Sequence, residues 1–228
     1  MNIGYRIKYD FIRPEEKIVS ELKMMQAANI GDSMSRNASL DSGIKSINHK
    51  KISGPAFTIS SRGGDNLLFY AALDLAREGD VIVFDGGGYT ERAVCGEIMA
   101  RYAESKKLGG FIIDGAIRDY EILSKMDFPI FARSISPNGP YKNGPGEINY
   151  PISIGGKIVS PGDIIVGDLD GIVVVNQQEA NEVIEKVREI EKLEAFLLSQ
   201  ISQGRGLDLD WVYEKLCSSN CEFMKRGE

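Results

Sequence analysis

Between residues 56 and 132 short apolar runs alternate with stretches of helical period, and this alternation restricts the fold more than any other feature of the chain. Ala56-Phe57-Thr58-Ile59, Val81-Ile82-Val83-Phe84, Gly110-Phe111-Ile112-Ile113 and Pro129-Ile130-Phe131-Ala132 read as buried strands. Helices are expected between them: one from Leu67 to about Arg77, capped by Asp65 or Asn66, one centred on Ile98-Met99-Ala100, and one from Asp119 to Met126. Buried strands separated by helices pair into a sheet with helical crossovers, which places the chain in the α/β class.

The flanks read differently. Pro14, with Glu15 and Glu16 behind it, suits the first turn of a helix, and Ile18, Leu22 and Met25 then share one face. A break is expected at Asn29-Ile30-Gly31, followed by a short second helix. Residues 135–150 are rich in Gly, Pro, Ser and Asn and are expected to form a long loop. Short strands follow at 152–154, 157–159, 164–166 and 171–175, with tight-turn chemistry at Gly155-Gly156 and Pro161-Gly162-Asp163. A long charged helix is expected from about Gln178 to Gln203, ending at Gly204. We therefore expect one α/β domain over residues 1–204, with mixed sheets and a long C-terminal helix. Residues 205–228, which hold the only tryptophan, Trp211, form a helical tail.

Composition narrows the chemistry. Lys and Arg number 27 against 33 for Asp and Glu, a net charge of −6, which argues against a general nucleic-acid or membrane-surface binder. No apolar run approaches the roughly 18 residues of a spanning helix, and the first residues lack the apolar core of a signal peptide. Three cysteines, Cys95, Cys217 and Cys221, make no disulfide framework, so a reducing, cytoplasmic setting is expected. The single histidine, His49, excludes a zinc or iron site built from two histidines of one chain, and only His49 could serve a Ser-His-Asp triad. A metal here would be a hard cation held by oxygens.

Several motifs have plain structural readings. Gly86-Gly87-Gly88 follows a strand but lacks the phosphate-loop ending, and reads as a turn or as a loop exposing its amides to a small ligand. Asp168, Asp170 and Gly171 resemble only part of a calcium loop. A stronger signal is Asp114-Gly115-Ala116-Ile117-Arg118-Asp119 directly after a buried strand, where open α/β sheets place ligands. Arg118 offers a planar fork for a carboxylate and Asp119 a hard oxygen; the alternative is an ion pair with Asp119 capping a helix. Upstream, Gly96 suits the start of a helix, where the amides of Glu97, Ile98 and Met99 point outward and can hold an anion. Glu97 reads either as a ligand to that site or as a first-turn acid favoured by the helix dipole.

These runs, with Gly54-Pro55-Ala56-Phe57-Thr58, Gly64-Asp65-Asn66, Gly79-Asp80-Val81, Asp85 to Gly88, Gly96-Glu97, Pro129 to Arg133 and Pro161-Gly162-Asp163, resemble the RraA-like family over roughly residues 28–176. That family holds the class II 4-hydroxy-4-methyl-2-oxoglutarate/4-carboxy-4-hydroxy-2-oxoadipate aldolases and the regulators of ribonuclease E activity. The aldolases carry an acid, twenty residues, then Arg-Asp. Glu97, residues 98–117 and Arg118-Asp119 reproduce the spacing, with Glu where the pattern has Asp. The resemblance implies a swivelling-type β/β/α fold, assembled as a homotrimer or homohexamer with sites between subunits. It implies that Asp119 ligates Mg²⁺ or Mn²⁺, that Glu97 acts on the metal through water, and that Arg118 binds the pyruvoyl oxygens. The amides of residues 96–99 would hold the carboxylate, and Glu194 of a neighbouring subunit is the best match for a further acid at the metal. The activity implied is cleavage of 4-hydroxy-2-oxo diacids to pyruvate, with oxaloacetate decarboxylation. The alternatives are a non-catalytic regulator that binds ribonuclease E, or a family lyase acting on another sugar-derived acid.

Overall fold

A computed structural model describes residues 2–224. The chain divides into two compact units, Met1–Val187 and Arg188–Glu228. The first begins with strand β1 (Tyr5–Ile7), helices α1 (Glu16–Met24) and α2 (Ala27–Ser33), and strand β2 (Lys45–Ser46). The alternating segment supplies β3 (Ile52–Ser61), α3 (Leu67–Leu75), β4 (Val81–Cys95), α4 (Glu97–Ser105), β5 (Gly110–Ile117), α5 (Tyr120–Leu123) and β6 (Ile130–Ile135). Then come β7 (Gly146–Ile148), β8 (Ile152–Ile154), β9 (Lys157–Val159), β10 (Ile164–Asp168), β11 (Gly171–Val175) and helix α6 (Ala180–Ser202), whose second half belongs to the second unit with α7 (Asp210–Ser218). No helix among the described residues is long and apolar enough to cross a membrane.

β3, β4, β5 and β6 lie side by side and parallel, as the alternation predicts, in the order β1-β7-β3-β4-β5-β6-β2. β3 is shared by the two β layers, pairing with β4 and β7 in one and with β10 in the other. Residues Ala56–Ser60 pair with β4, while Ile52 to Pro55 pair antiparallel with β10. Pro55, which has no N–H to give a ladder, sits where one pairing hands over to the other.

The side chains sort into layers. One face of the sheet (Phe57, Ile82, Phe84, Phe111, Ile113) packs on α3 and α4, with Phe69 stacked on Phe84 at 5.3 Å between ring centroids. The other face (Ala56, Val81, Val83, Ile112, Phe131) packs on the second β layer through Ile152, Ile165, Ile172 and Val174. Strict alternation then turns Ile164, Val166, Val173 and Val175 outward, where Leu22 of α1, Ile30 of α2 and Val183, Ile184 and Val187 of α6 cover them. The result is the expected mixed α/β architecture, with two β layers enclosed by helices.

Several local expectations are corrected. The helical break falls at Met25-Gln26, not at Asn29-Ile30-Gly31: Met25 is extended, Asp168 Oδ2 accepts from Ala27 N at 3.0 Å, and α2 runs through Gly31. Strand β4 does not stop at the triple glycine but runs on to Cys95 with three register shifts. α5 holds four residues rather than the eight from Asp119 to Met126. Asp168 accepts from Ala27 N and Asp170 N, so the partial calcium motif is turn and cap chemistry.

At the amino end of β4, Asp80 is fully buried and holds Arg13 through Nε at 2.8 Å and Nη2 at 2.6 Å, while accepting from Arg77 N. An asparagine cannot accept both guanidinium donors. Asp80→Asn is expected to lower unfolding stability by about 2 kcal/mol, read from urea midpoints.

Candidate functional site

Two parallel strand ends create the site. The shifts in β4 bring Ala93 opposite Ala116 and Cys95 opposite Ile117, and Arg118 N donates to Cys95 O at 3.0 Å. The pair Gly96-Glu97 is thereby fixed beside Arg118-Asp119. Gly96 is the N-cap of α4, as its sequence context predicts. Asp119 takes a left-handed backbone, φ 61°, a conformation in which aspartate is enriched among non-glycine residues.

That backbone settles the role of Asp119 as a cap. It sits at the N-cap position of α5 but makes no side-chain cap there. Its Oδ2 instead accepts from Glu97 N at 3.0 Å, capping α4 across the two strands. The Arg118–Asp119 pair is loose, with Nε 3.9 Å from Oδ2, and both side chains are roughly half exposed. A simple ion pair therefore does not account for Arg118.

Gly96, Ile98, Met99, Arg118 and Asp119 line one pocket of about 80 Å³. Of the first-turn amides of α4, Glu97 N is taken by Asp119, while those of Ile98 and Met99 have no carbonyl one turn back to bond. Beside them stands a guanidinium with its fork unspent, a ready seat for a small carboxylate. Glu97 flanks this pocket rather than lining it: its Oε1 accepts from Arg101 Nε at 2.7 Å, one turn along α4. Glu194 lies on α6 in the second unit.

The oxygen donors suit a hard cation. Asp119 Oδ1 has no partner among the described residues, and the missing side chain of Gly96 leaves room beside the carboxylate, where a Cβ would collide with Oδ2. Among the described residues no three of His, Cys, Asp and Glu gather as a metal cage. Asp119 is the one carboxylate lining the pocket among the described residues, so a hard cation held there would take most of its ligands from water or from elsewhere. Cys95 is buried beside the pocket, and burial pushes its thiol up, so it stays protonated and packs as a small apolar group.

Three other pocket residues were not predicted as ligands: Asn66, Tyr70 and Lys142. Lys142 comes from the predicted loop, which is firmly strapped. Tyr141 N donates to Gly64 O, Asp65 Oδ2 accepts from Asn143 N and Gly144 N, and Arg92 Nη1 donates to Gly139 O at 2.9 Å. The Lys142 ammonium stands 5.2 Å from the centre of the Tyr70 ring, with no carboxylate partner among the described residues. The signal was legible only in hindsight: Gly64-Asp65-Asn66 offers two capping side chains for one helix, which leaves one to spare.

The triple glycine lies within irregular β4 rather than in a turn. Gly87 N donates to Asp85 Oδ1, and Gly88 packs near Arg133, whose Nε is bonded to Asp114. Burial, with Asp114 as a smaller contributor, pushes the Asp85 carboxyl up.

Amides at a helix start, a guanidinium and a hard carboxylate thus meet at the ends of parallel strands of a mixed α/β fold. The chain belongs to the RraA-like family, described as Aldolase/RraA, whose model matches residues 27–174. A Halalkalibacterium halodurans protein named "Putative 4-hydroxy-4-methyl-2-oxoglutarate aldolase" is 37% identical over 175 residues, covering 76% of this chain and 83% of that protein. The crystal structure of Streptomyces coelicolor RraAS2, described as an unusual member of the RNase ES inhibitor RraA family, aligns with TM-score 0.76 and 27% identity, over 82% of this chain and 98% of that one. A Thermus RraA, described as an RNA-processing inhibitor, aligns with TM-score 0.62 and 28% identity over 66% of this chain and 92% of that one.

Proposed function

We propose that the chain is a divalent-metal-dependent carbon–carbon lyase that releases pyruvate from 4-hydroxy-2-oxo diacids and decarboxylates oxaloacetate. The observation that carries this reading is the meeting of Arg118, Asp119 and the unbonded amides of Ile98 and Met99 in one small pocket. In this reading those amides hold the substrate carboxylate, and Arg118 donates to the 2-oxo oxygen as negative charge builds there during bond cleavage. Asp119, aided by Glu97 through water, holds Mg²⁺ or Mn²⁺, which supplies Lewis-acid stabilisation of that charge. A metal-activated or carboxylate-held water is the base in this reading. Lys142 stands ready for a second carboxylate, which favours a diacid.

Assembly as a homotrimer or homohexamer in the cytoplasm, with Glu194 of a neighbouring subunit completing the metal site, is part of the same proposal. Pyruvate release from 4-hydroxy-4-methyl-2-oxoglutarate, 4-carboxy-4-hydroxy-2-oxoadipate and oxaloacetate tests it. Activity is expected with Mg²⁺, loss with EDTA, and recovery with Mg²⁺ or Mn²⁺; no pyruvate above background from all three acids rejects it. The RraA names among the structural neighbours favour a second reading, a ribonuclease-binding regulator. Capture of a ribonuclease E-type enzyme by a catalytically silent chain would select that one.

A further inference from the structure

Asn66 sits at the N-cap of α3 yet does not cap it: Asp65 Oδ1 accepts from Leu67 N at 3.0 Å and performs that task. The Asn66 side chain turns inward instead and is 2% exposed. Its Nδ2 donates to Val94 O at 2.9 Å, an acceptor only, which fixes which way round the amide lies. Its Oδ1 has no hydrogen-bond partner at all, although the residue lines the same pocket as Arg118 and Asp119.

A buried amide oxygen left without a donor is costly, and native chains leave few of them. The group that completes Oδ1 must donate a hydrogen bond. The carboxylate and oxo oxygens of a 2-oxo acid head can only accept. Lys142, placed for a second carboxylate, stands over the face of Tyr70. A hydroxyl on the rest of the substrate is a neutral donor that would complete Oδ1. Met99 is the adaptable wall on the way in, with its Sδ 3.6 Å from Asn66 Nδ2 and an unbranched side chain that can shift.

We propose that Asn66 Oδ1 accepts a hydrogen bond from a substrate hydroxyl lying beyond the 2-oxo acid head. Asn66 is then the residue that separates hydroxylated 2-oxo acids from their deoxy counterparts. This rests on the 2-oxo acid reading of the pocket. A site built around an unpaired acceptor rejects a ligand that lacks the matching donor.

The test uses the full chain with Mg²⁺ and oxaloacetate as reporter substrate. 4-Hydroxy-2-oxoglutarate, as a competing substrate, and 2-oxoglutarate, as an inhibitor, differ only in the hydroxyl. The hydroxylated acid is expected to compete at least ~10-fold more tightly, one strong hydrogen bond's worth. In Asn66→Leu that preference is expected to shrink to within about 2-fold. The loss in kcat/KM should also be about 10-fold greater for 4-hydroxy-2-oxoglutarate than for oxaloacetate. Equal competition by the two acids in the unmodified protein overturns the proposal, as does an equal loss on both substrates in Asn66→Leu. If Asn66→Leu does not fold, the ratio in the unmodified protein decides alone. An unmodified protein that releases no pyruvate from either oxaloacetate or 4-hydroxy-2-oxoglutarate removes the reading of the pocket, and this inference with it.

Discussion

Arg118→Ala is expected to cut kcat/KM for pyruvate release about 10³-fold while leaving the thermal midpoint within about 2 °C. The two halves of that expectation have separate causes. Arg118 makes no close side-chain ion pair, and its side chain is 46% exposed, so its removal costs the fold little. Its guanidinium is nevertheless the cation on the pocket wall beside Asp119 and the free amides of α4, where charge would build on a 2-oxo group. Lysine at the same position keeps the charge but not the planar fork, and is expected to restore less than a tenth of the lost activity. Steady-state kinetics on oxaloacetate with parallel melting curves decide it; activity within 3-fold of the unmodified protein would remove Arg118 from the chemistry.

A single methyl group at Gly96 is the second large effect. The backbone there is ordinary extended chain, φ −154°, so alanine brings no conformational strain. The added Cβ would, however, collide with Asp119 Oδ2 and stand 3.1 Å from Arg118 Cγ. The carboxylate end is free to swing away, which keeps the stability cost below about 1 kcal/mol. Swinging away breaks its bond to Glu97 N and moves the one carboxylate that lines the pocket among the described residues. Displacements on the order of 1 Å at such a centre cost about 10² in rate, so Gly96→Ala is expected to lose at least that in kcat/KM. The affinity for Mn²⁺, followed by its electron paramagnetic resonance signal, should fall in step. Unchanged Mn²⁺ binding would show that Asp119 is not the ligand.

The sheet was legible because its strands are apolar runs bounded by glycine and proline, so their burial shows in composition alone. Arg118 and Asp119 were legible for a related reason: polar groups immediately after such a run must emerge at a strand end. Other features depend on partners distant in sequence. The passage of β4 through Gly86-Gly87-Gly88 is stabilised by pairing with β5, and no local pattern reports it. The cap that Asp119 provides to α4 crosses 22 residues, and a spacing rule finds the pair without saying which atom meets which. Glu97 was read as a pocket acid or a first-turn acid; it is the first-turn acid of α4, and its carboxylate is held one turn along by Arg101, a partner the spacing of charges along a helix does offer. The sequence offered Asp65 or Asn66 as the cap of α3, and Asp65 performs it, which frees Asn66 to turn inward; no local pattern chooses between two adjacent capping residues.

The double membership of β3 has a consequence for the order in which the molecule can be made. Its second half can find β4 soon after the chain leaves the ribosome, since Ala56 meets Val81 across one short helix. Its first half must wait, because Gly54 pairs with Ile165 and so stays open until most of the polypeptide has been synthesised. Loop-closure entropy over that span favours forming the β3–β4 pairing before the two β layers join. The nascent chain meanwhile carries a bare, aggregation-prone edge at Ile52 to Pro55, the segment a chaperone would have most reason to shield.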